Sequence, residues 1–246
     1  MLLALLPVPL TSLTVPASST VMQATPSDFN NGTTENVTVG VDGANGTIIL
    51  SLTEVDSWWR QTVPVYPSAR GYCRAATIFT DDKLMLFGGW NGGAHLDDTW
   101  FYDLSDGNWT QLNPPERPPA RDDYGMAPVS GTDLVVLFGG GDSLLNDTWI
   151  FNATQGMWYQ QFPPDSPPGR HNMALSPVGG DDKVVLFGGS DWTGYFNDTW
   201  LYDVGDNHWA RVMPDVSPPA RDSFALSWVP GDDKVVYVKH LAPSKP

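Results

Sequence analysis

Three copies of one motif recur along this chain at a spacing of about fifty residues, and this repeat constrains its fold more than any other feature. Each copy has a Pro-rich stretch ending in Arg, an apolar run ending in Phe-Gly-Gly, a Thr-Trp pair, and a lone Trp nine residues later. The copies supply Arg70, Arg121 and Arg170; Phe87-Gly88-Gly89, Phe138-Gly139-Gly140 and Phe187-Gly188-Gly189; Thr99-Trp100, Thr148-Trp149 and Thr199-Trp200; Trp109, Trp158 and Trp209. Such a period is typical of propellers, solenoids and arrays.

Four segments of strand length can be assigned within each copy. In the third copy, strands a, b, c and d are predicted at 170–175, 184–187, 199–202 and 209–212. Gly188-Gly189 ends strand b, because glycine permits positive φ and close backbone approach, and Pro214 follows strand d. Four short antiparallel strands form a twisted sheet that buries its faces by stacking radially on its copies. The sequence therefore predicts an all-β propeller.

These motifs resemble the kelch repeat. The resemblance rests on the Phe-Gly-Gly, the Asn-Asp-Thr-Trp-x-x-Asp segment and the spaced Trp, and it covers roughly residues 47–238. It implies a kelch-type β-propeller of four-stranded antiparallel blades, with one blade per repeat. The last copy, which begins at Arg221, departs from the pattern because Val238-Lys239-His240 replaces Phe-Gly-Gly.

The blade count has two interpretations. The chain contains three complete repeats plus terminal half-blades, with 47–52 as a divergent strand c and Trp59 as the first lone Trp. If the two ends pair, they complete a fourth blade and remove two open sheet edges. Otherwise the propeller is incomplete and its other blades are missing.

Four segments are predicted along the chain. Residues 1–17 form a candidate signal peptide, with an apolar start and the small-residue site Val15-Pro16-Ala17, although no Lys or Arg precedes Arg60. Residues 18–45 are rich in Ser, Thr, Asn and Gly and are expected to be flexible. The propeller spans 46–238, and 239–246 form a C-terminal tail. The apolar start is too short to span a bilayer, so this chain itself is not expected to insert into a membrane.

Seven Asn-x-Ser/Thr sequons support the secretory route. Asn146 and Asn197 belong to the repeated turn, and Asn108 precedes a Trp, so these three are weaker candidates. The predicted glycosylation sites are Asn31, Asn36, Asn45 and Asn152. We therefore expect a secreted or extracellular glycoprotein, with a cytoplasmic location as the alternative.

The charge of the chain excludes some partners. Its formal net charge is -15, and 25 Asp against 3 Glu indicate many turns rather than acidic helices. Such a chain is a poor partner for nucleic acid or an anionic membrane surface. Cys73 is the single cysteine, so neither an internal disulfide nor a cysteine zinc site is possible.

The loops that differ between copies are the predicted binding surface. Because strands alternate in direction, the b–c and d–a loops share one face, and the b–c loops are the variable ones. The candidate ligand-binding residues in these loops are Trp90, His95, Asp142, Trp192, Tyr195 and Phe196. Aromatic side chains suit a protein or glycan ligand, although each ring could instead pack against a neighbouring blade.

Four arginines are further candidates. Arg70, Arg121, Arg170 and Arg221 each precede the innermost strand, so together they would surround the mouth of a central channel. Guanidinium groups there could bind carboxylate or phosphate groups. The alternative is structural: because the arginines recur with the motif, they could bond backbone carbonyls or the motif's Asp residues. His171 lies beside Arg170 and is interpreted as a scaffold residue.

Catalysis is not expected. Kelch propellers include enzymes resembling galactose oxidase, which need two His, two Tyr and a Tyr–Cys cross-link around copper. The four histidines of this chain occupy unrelated positions, and the Glu-x-x-x-Asp-x-x-x-His motif of specifier proteins is missing from the sequence. We predict no catalytic residue, metal or cofactor, and interpret the chain as a non-catalytic binding module. The alternative is a fragment of a larger kelch-containing enzyme whose metal site is lost or lies elsewhere.

Overall fold

The structure, a computed structural model, describes residues 35–40, 47–52, 65–229 and 234–238. Every regular element in these ranges is a β-strand, and none of them contains a helix that could cross a membrane. The chain divides into two compact units, residues 1–62 and residues 63–246.

The first unit contains one β-hairpin, in which β1 (Glu35–Gly40) pairs antiparallel with β2 (Thr47–Leu52). Strand β2 coincides with the predicted divergent strand, whereas Trp59 lies outside the described residues. Strand β1 falls within the segment 18–45 that was expected to be flexible. Val37 and Val39 are β-branched and alternate with polar residues, a pattern that favours a strand even in a polar segment. The domain boundaries themselves stay predictions.

The second unit contains three antiparallel sheets of four strands, one per complete repeat. The first sheet is β3 (Arg74–Ile78), β4 (Lys83–Trp90), β5 (His95–Asp103) and β6 (Trp109–Leu112). The second is β7 (Gly125–Pro128), β8 (Leu134–Gly140), β9 (Leu145–Asn152) and β10 (Met157–Gln161). The third is β11 (Ala174–Pro177), β12 (Lys183–Phe187), β15 (Thr199–Asp203) and β16 (His208–Val212). The predicted order of strands a to d is therefore confirmed in each repeat.

Two details differ from the sequence prediction. The inner strand β11 begins at Ala174, four residues after Arg170, because His171 and Asn172 turn before entering the sheet. In addition, the b–c loop of the third sheet contains a small hairpin, β13 (Ser190–Asp191) with β14 (Gly194–Tyr195).

A fourth sheet is two-stranded in the described part of the chain, with β17 (Ala225–Trp228) paired to β18 (Val235–Val238). It supplies strands a and b of the last repeat. Three complete sheets and this half-sheet confirm the predicted class, an all-β propeller of four-stranded antiparallel blades, and they are consistent with the incomplete alternative.

Backbone hydrogen bonds link the four sheets in sequence order near their inner strands. The residue two positions after each repeated Arg donates its N–H to the carbonyl of its counterpart in the preceding repeat. The bonds run from Asp123 to Tyr72 at 3.0 Å, from Asn172 to Asp123 at 2.8 Å and from Ser223 to Asn172 at 3.1 Å. All four residues have φ between 53° and 55°, so the same left-handed turn recurs in each sheet.

Aromatic side chains fill the space between neighbouring sheets. Between the first and second sheets, Phe87 contacts Tyr124 and Trp158 at ring-centroid distances of 5.7 and 5.1 Å. Between the second and third, Phe138 contacts Trp209 at 5.1 Å. The Phe of the Phe-Gly-Gly motif and the lone Trp of the next repeat therefore belong to the same hydrophobic core, and this arrangement recurs at both interfaces between complete sheets.

Candidate functional site

The b–c loops and the segments that precede the inner strands meet at one end of the sheets, as predicted. Arg121 N–H donates to the carbonyl of Leu96, and Arg221 N–H donates to that of Phe196. We call this end the variable face and define it by the b–c loops (90–95, 141–144, 190–198) and the d–a segments (113–124, 162–173, 213–224).

The repeated arginines are held by the protein itself. Arg121 and Arg170 are completely buried, and each makes bidentate bonds to the Asp of the motif, Asp147 or Asp198, at 2.6 to 3.0 Å. Each also donates to the carbonyl of the middle residue of Phe-Gly-Gly. Because their donors point into the sheets, these two side chains are not placed to touch an external ligand. We therefore correct their candidate binding role to the structural alternative.

Arg70 follows the same pattern, and the fourth arginine shares with the other three a hydrogen bond from its Nε to the carbonyl two residues before it. The Arg70 side chain bonds both carboxylate oxygens of Asp98, at 2.5 and 2.8 Å, and the carbonyl of Gly88. Arg221 Nε donates to the carbonyl of Pro219 at 2.9 Å.

Phe196 also has a packing role. Its ring lies 3.9 Å from the guanidinium carbon of Arg170. The contact covers the buried cation with an aromatic face, which is a favourable arrangement for a guanidinium. Phe196 therefore packs against the Arg170 side chain, and its candidate binding role stays a prediction.

Trp192 and Tyr195 lie on the hairpin β13–β14 and are the most exposed of the predicted binding residues with aromatic rings. They are 70% and 64% exposed. The Asp191 carboxylate accepts hydrogen bonds from Thr193 Oγ1 and from the N–H groups of Thr193 and Gly194. These bonds lower the pKa of Asp191, and the bond from Thr193 Oγ1 has the largest effect. The turn that presents the two rings is thus ordered by its own hydrogen bonds.

His95 connects two loops of the variable face. Its ring lies 4.7 Å from that of Trp90. Nε2 is 3.2 Å from a carboxylate oxygen of Asp142, and Nδ1 is 3.4 Å from one of Asp122. His95, Asp122 and Asp142 bring N and O donors within 4.8 Å of one another, and they are the one such group of three in the part of the chain that the structure describes. Since each ring nitrogen already faces a carboxylate, a bound cation would have to replace one of these contacts.

Ser190, His171 and Asp222 also approach one another on this face. Ser190 Oγ donates to Asp222 at 2.8 Å and lies 3.4 Å from His171 Nδ1. In a catalytic triad the carboxylate orients the histidine, whereas here it bonds the serine. Ser190 is also only 4% exposed, so this cluster is interpreted as a link between the third and fourth sheets.

A cavity of about 950 Å³ lies between the inner strands, and the sequence analysis did not assign its residues. Its lining includes Tyr72, Asp123, Asn172 and Ser223, the four linked residues with positive φ, and we call this set the channel mouth. One signal was available: the position two residues after each repeated Arg differs in all four copies. The repeat pattern places these residues in the inner strands, so their variation does not by itself indicate a cavity.

The channel mouth contains one titratable carboxylate, that of Asp123. Partial burial raises the pKa of Asp123, and the nearby carboxylates of Asp122 and Asp222 raise it further. The positive charge of Arg74, and that of His171 when its ring is protonated, act in the opposite direction without reversing the shift. The surroundings of Asp123 therefore disfavour the charged form of its carboxyl group, mainly through burial.

The predicted glycosylation sites are only partly described. Asn152 ends β9, and its side-chain oxygen accepts a hydrogen bond from Gln155 N–H at 2.8 Å. Asn36 lies in β1, of which only the backbone is described, and Asn31 and Asn45 lie outside the described residues.

Comparison with known proteins gives one match to a family. A model of the Kelch-repeats domain of KLHDC2, KLHL20 and DRC7 matches residues 42–180 and 116–239. The two overlapping matches span 42–239, most of the chain. No curated protein matches the sequence.

Proposed function

The chain belongs to the kelch-repeat family, and from that premise we propose that it is a non-catalytic module that binds a partner protein through its variable face. Family membership indicates a protein-interaction module. The observation that supports this face is the hairpin β13–β14, which holds Trp192 and Tyr195 more than 60% exposed. Rigid, exposed aromatic side chains are the residues most often found at the energetic centre of protein interfaces.

The arrangement of the two kinds of loop supports the same face. Three of the four a–b turns have the sequence Asp-Asp-Lys, and Lys83 and Lys183 pair with acidic neighbours there. The b–c loops differ in length, sequence and structure between the sheets. Variation on a repeated scaffold is typical of recognition surfaces.

The test compares exposed aromatic side chains of the variable face with a buried aromatic side chain of the sheets. Partners are first captured with the purified protein, and a glycan array is screened in parallel. Replacing Trp192 and Tyr195 with Ala should weaken binding at least tenfold and leave the melting temperature unchanged. Trp149 is 7% exposed and bonds Asp147, so Trp149→Ala should instead destabilise the fold by about 3 kcal/mol or more. Unfolding of the double variant at the same temperature as Trp149→Ala would contradict the proposed face, and binding to glycans alone would contradict a protein partner.

We also propose that the chain enters the secretory route. The apolar start and the sequons, including Asn152 at the end of β9, support this location. Expressed in a eukaryotic secretory host, the protein should lose mass on enzymatic removal of N-glycans. Recovery from the cytosol with Met1 still attached would support the cytoplasmic alternative instead.

A further inference from the structure

The Asp123 carboxylate lies in an energetically unfavourable environment, and no contact among the described residues compensates for it. It is partly buried at the channel mouth and makes neither a hydrogen bond nor an ion pair with any residue that the structure describes. The charged groups that act on it are Asp122 and Asp222, of the same sign, and Arg74 and His171, of the opposite sign. Removing a carboxylate from water without a bonded partner costs free energy.

The scaffold does not require a carboxylate at this position. Tyr72, Asn172 and Ser223 occupy the same place in the other repeats, with the same left-handed backbone and the same chain of hydrogen bonds. An amide, a hydroxyl or a phenol therefore serves the fold equally well. The carboxylate of Asp123 is an addition to the scaffold, and uncompensated groups on strained backbone are typical of binding sites.

The neighbours of Asp123 suit a cationic side chain. Tyr72, whose carbonyl accepts a hydrogen bond from Asp123 N–H, is 62% exposed and lines the same cavity as Asp123. Aromatic rings and carboxylates together bind ammonium and guanidinium groups. Below the mouth, the cavity is lined by small and aliphatic residues, including Ala75, Ala127 and Leu175.

We propose that the channel mouth binds a Lys or Arg side chain of the partner protein, with the Asp123 carboxylate as its acceptor and Tyr72 as its aromatic wall. Apolar residues that flank this cation in the partner would enter the cavity. This inference rests on the proposed function and adds the chemical class of the segment that is bound. The net charge of -15 favours the approach of a basic segment over an acidic one.

The experiment uses three labelled peptides that differ at one position: acetyl-Gly-Leu-Arg-Leu-Gly-amide and its citrulline and glutamate counterparts. Citrulline keeps the shape of arginine without its charge. Fluorescence anisotropy with the full chain should show binding of the arginine peptide at least tenfold tighter than that of the citrulline peptide, and weaker binding at higher salt. In D123N this preference should disappear.

Two controls separate charge from folding. D123N should melt no lower than the parent, since Asn172 occupies the equivalent position in the third repeat. D165N removes one exposed carboxylate from the same face, outside the cavity lining, and should keep the preference for arginine.

Three results would overturn the inference: equal binding of the arginine and citrulline peptides, a preference retained in D123N, or no binding of any peptide at millimolar concentration. The proposed function fails separately. If the citrulline or glutamate peptide binds best and the Trp192/Tyr195 variant abolishes that binding, the variable face is confirmed and the cationic partner is wrong. If a captured protein still binds that double variant with unchanged affinity, the proposed face is wrong whatever the peptides show.

Discussion

Buried arginine–aspartate pairs join each d–a segment to the sheet beside it. Arg170 has no exposed surface and Asp198 is 8% exposed. Burial alone would raise the pKa of Asp198, but hydrogen bonds from Arg170 and Trp200 outweigh it and lower that pKa below its usual value. Asp98 behaves in the same way with Arg70 and Trp100. Both pairs are therefore charged at neutral pH, and their stabilisation depends on ionised carboxylates.

Asp198→Asn should destabilise the protein by about 3 kcal/mol at neutral pH, because it leaves the Arg170 charge buried without an anion. The lowered pKa means that this stabilisation is present above the unfolded pKa of about 3.9 and is lost as the pH falls through the native pKa. The difference between parent and variant should therefore shrink near pH ~3. Urea unfolding of the parent and the variant, at neutral pH and at this acid pH, measures the difference in their free energies of unfolding. A difference that stays constant with pH would contradict the role of the charged pair.

The paired glycines of each repeat lie where a side chain would be crowded. At Gly188 the effect of this crowding can be measured separately from the effect of backbone conformation. Its φ is +62°, and an added Cβ would lie 2.7 Å from the carbonyl oxygen of Arg221. Gly180 has a similar φ of +72° but open space around it, so it serves as a matched control. Gly188→Ala should cost about 1 to 3 kcal/mol more than Gly180→Ala. Equal melting temperatures for the two variants would show that backbone conformation, rather than crowding, accounts for the glycine.

At the scale of strands, the same register recurs in all three complete sheets. The Phe of Phe-Gly-Gly pairs with the Thr of Thr-Trp across strands b and c: Phe87 with Thr99, Phe138 with Thr148 and Phe187 with Thr199. The lone Trp of the next sheet then reaches back to that Thr. Trp158 Nε1 donates to Thr99 Oγ1 and Trp209 Nε1 to Thr148 Oγ1, both at 3.0 Å. Register within one sheet thus positions the hydrogen bond to the next.

This bond between sheets can be measured at Trp209 and Thr148. Trp209→Phe should destabilise the protein by about 1 to 3 kcal/mol, because Thr148 is 1% exposed and would lose its donor. Thr148→Val should also destabilise, whereas the double variant should cost about 1 kcal/mol less than the sum, since no polar group is then left unpaired. Chemical denaturation of the four proteins gives the coupling. Strict additivity would mean that the bond contributes nothing to stability.

At the scale of the second unit, the inner strands of all four sheets line the cavity. Neighbouring sheets are linked by the hydrogen bonds of the channel mouth. The first and fourth sheets meet at the opposite end of the inner strands, where Phe79 contacts Trp228 edge-to-face at 6.3 Å. The two-stranded fourth sheet therefore takes part in enclosing the cavity.

A double-mutant cycle on Phe79 and Trp228 tests this contact. The two Ala substitutions should couple by about 0.5 to 1.5 kcal/mol, as aromatic pairs in edge-to-face geometry do. Phe162 is 77% exposed and lies on the variable face, so Phe79→Ala and Phe162→Ala should be additive. Absence of coupling between Phe79 and Trp228 would mean that the first and fourth sheets do not meet in solution.

Much of the fold could be predicted because each repeat carries the sequence signals for its own four strands, and the same signals occur in three complete repeats. The apolar run, the double glycine, the Thr-Trp pair and the lone Trp each occupy the strand or strand end that the pattern indicates. The hairpin β13–β14 could not be placed, because its two-residue strands are too short to carry a period. The start of the inner strands was also missed, since a left-handed residue such as Asn172 has no distinctive sequence signal when Tyr, Asp and Ser adopt the same conformation.

The candidate site was predicted less completely than the fold. The exposed loop aromatics were found because variation between copies is visible in the sequence, whereas the buried state of Arg121 and Arg170 depends on carboxylates some 26 to 28 residues away. The sequence by itself determined the repeat, the strand order and the face that varies, because these follow from patterns within one repeat. Only the tertiary structure brought Tyr72, Asp123, Asn172 and Ser223, from four repeats, around one cavity. Their proximity arises from the stacking of sheets, and no pattern within a single repeat specifies which of its residues will face its neighbours.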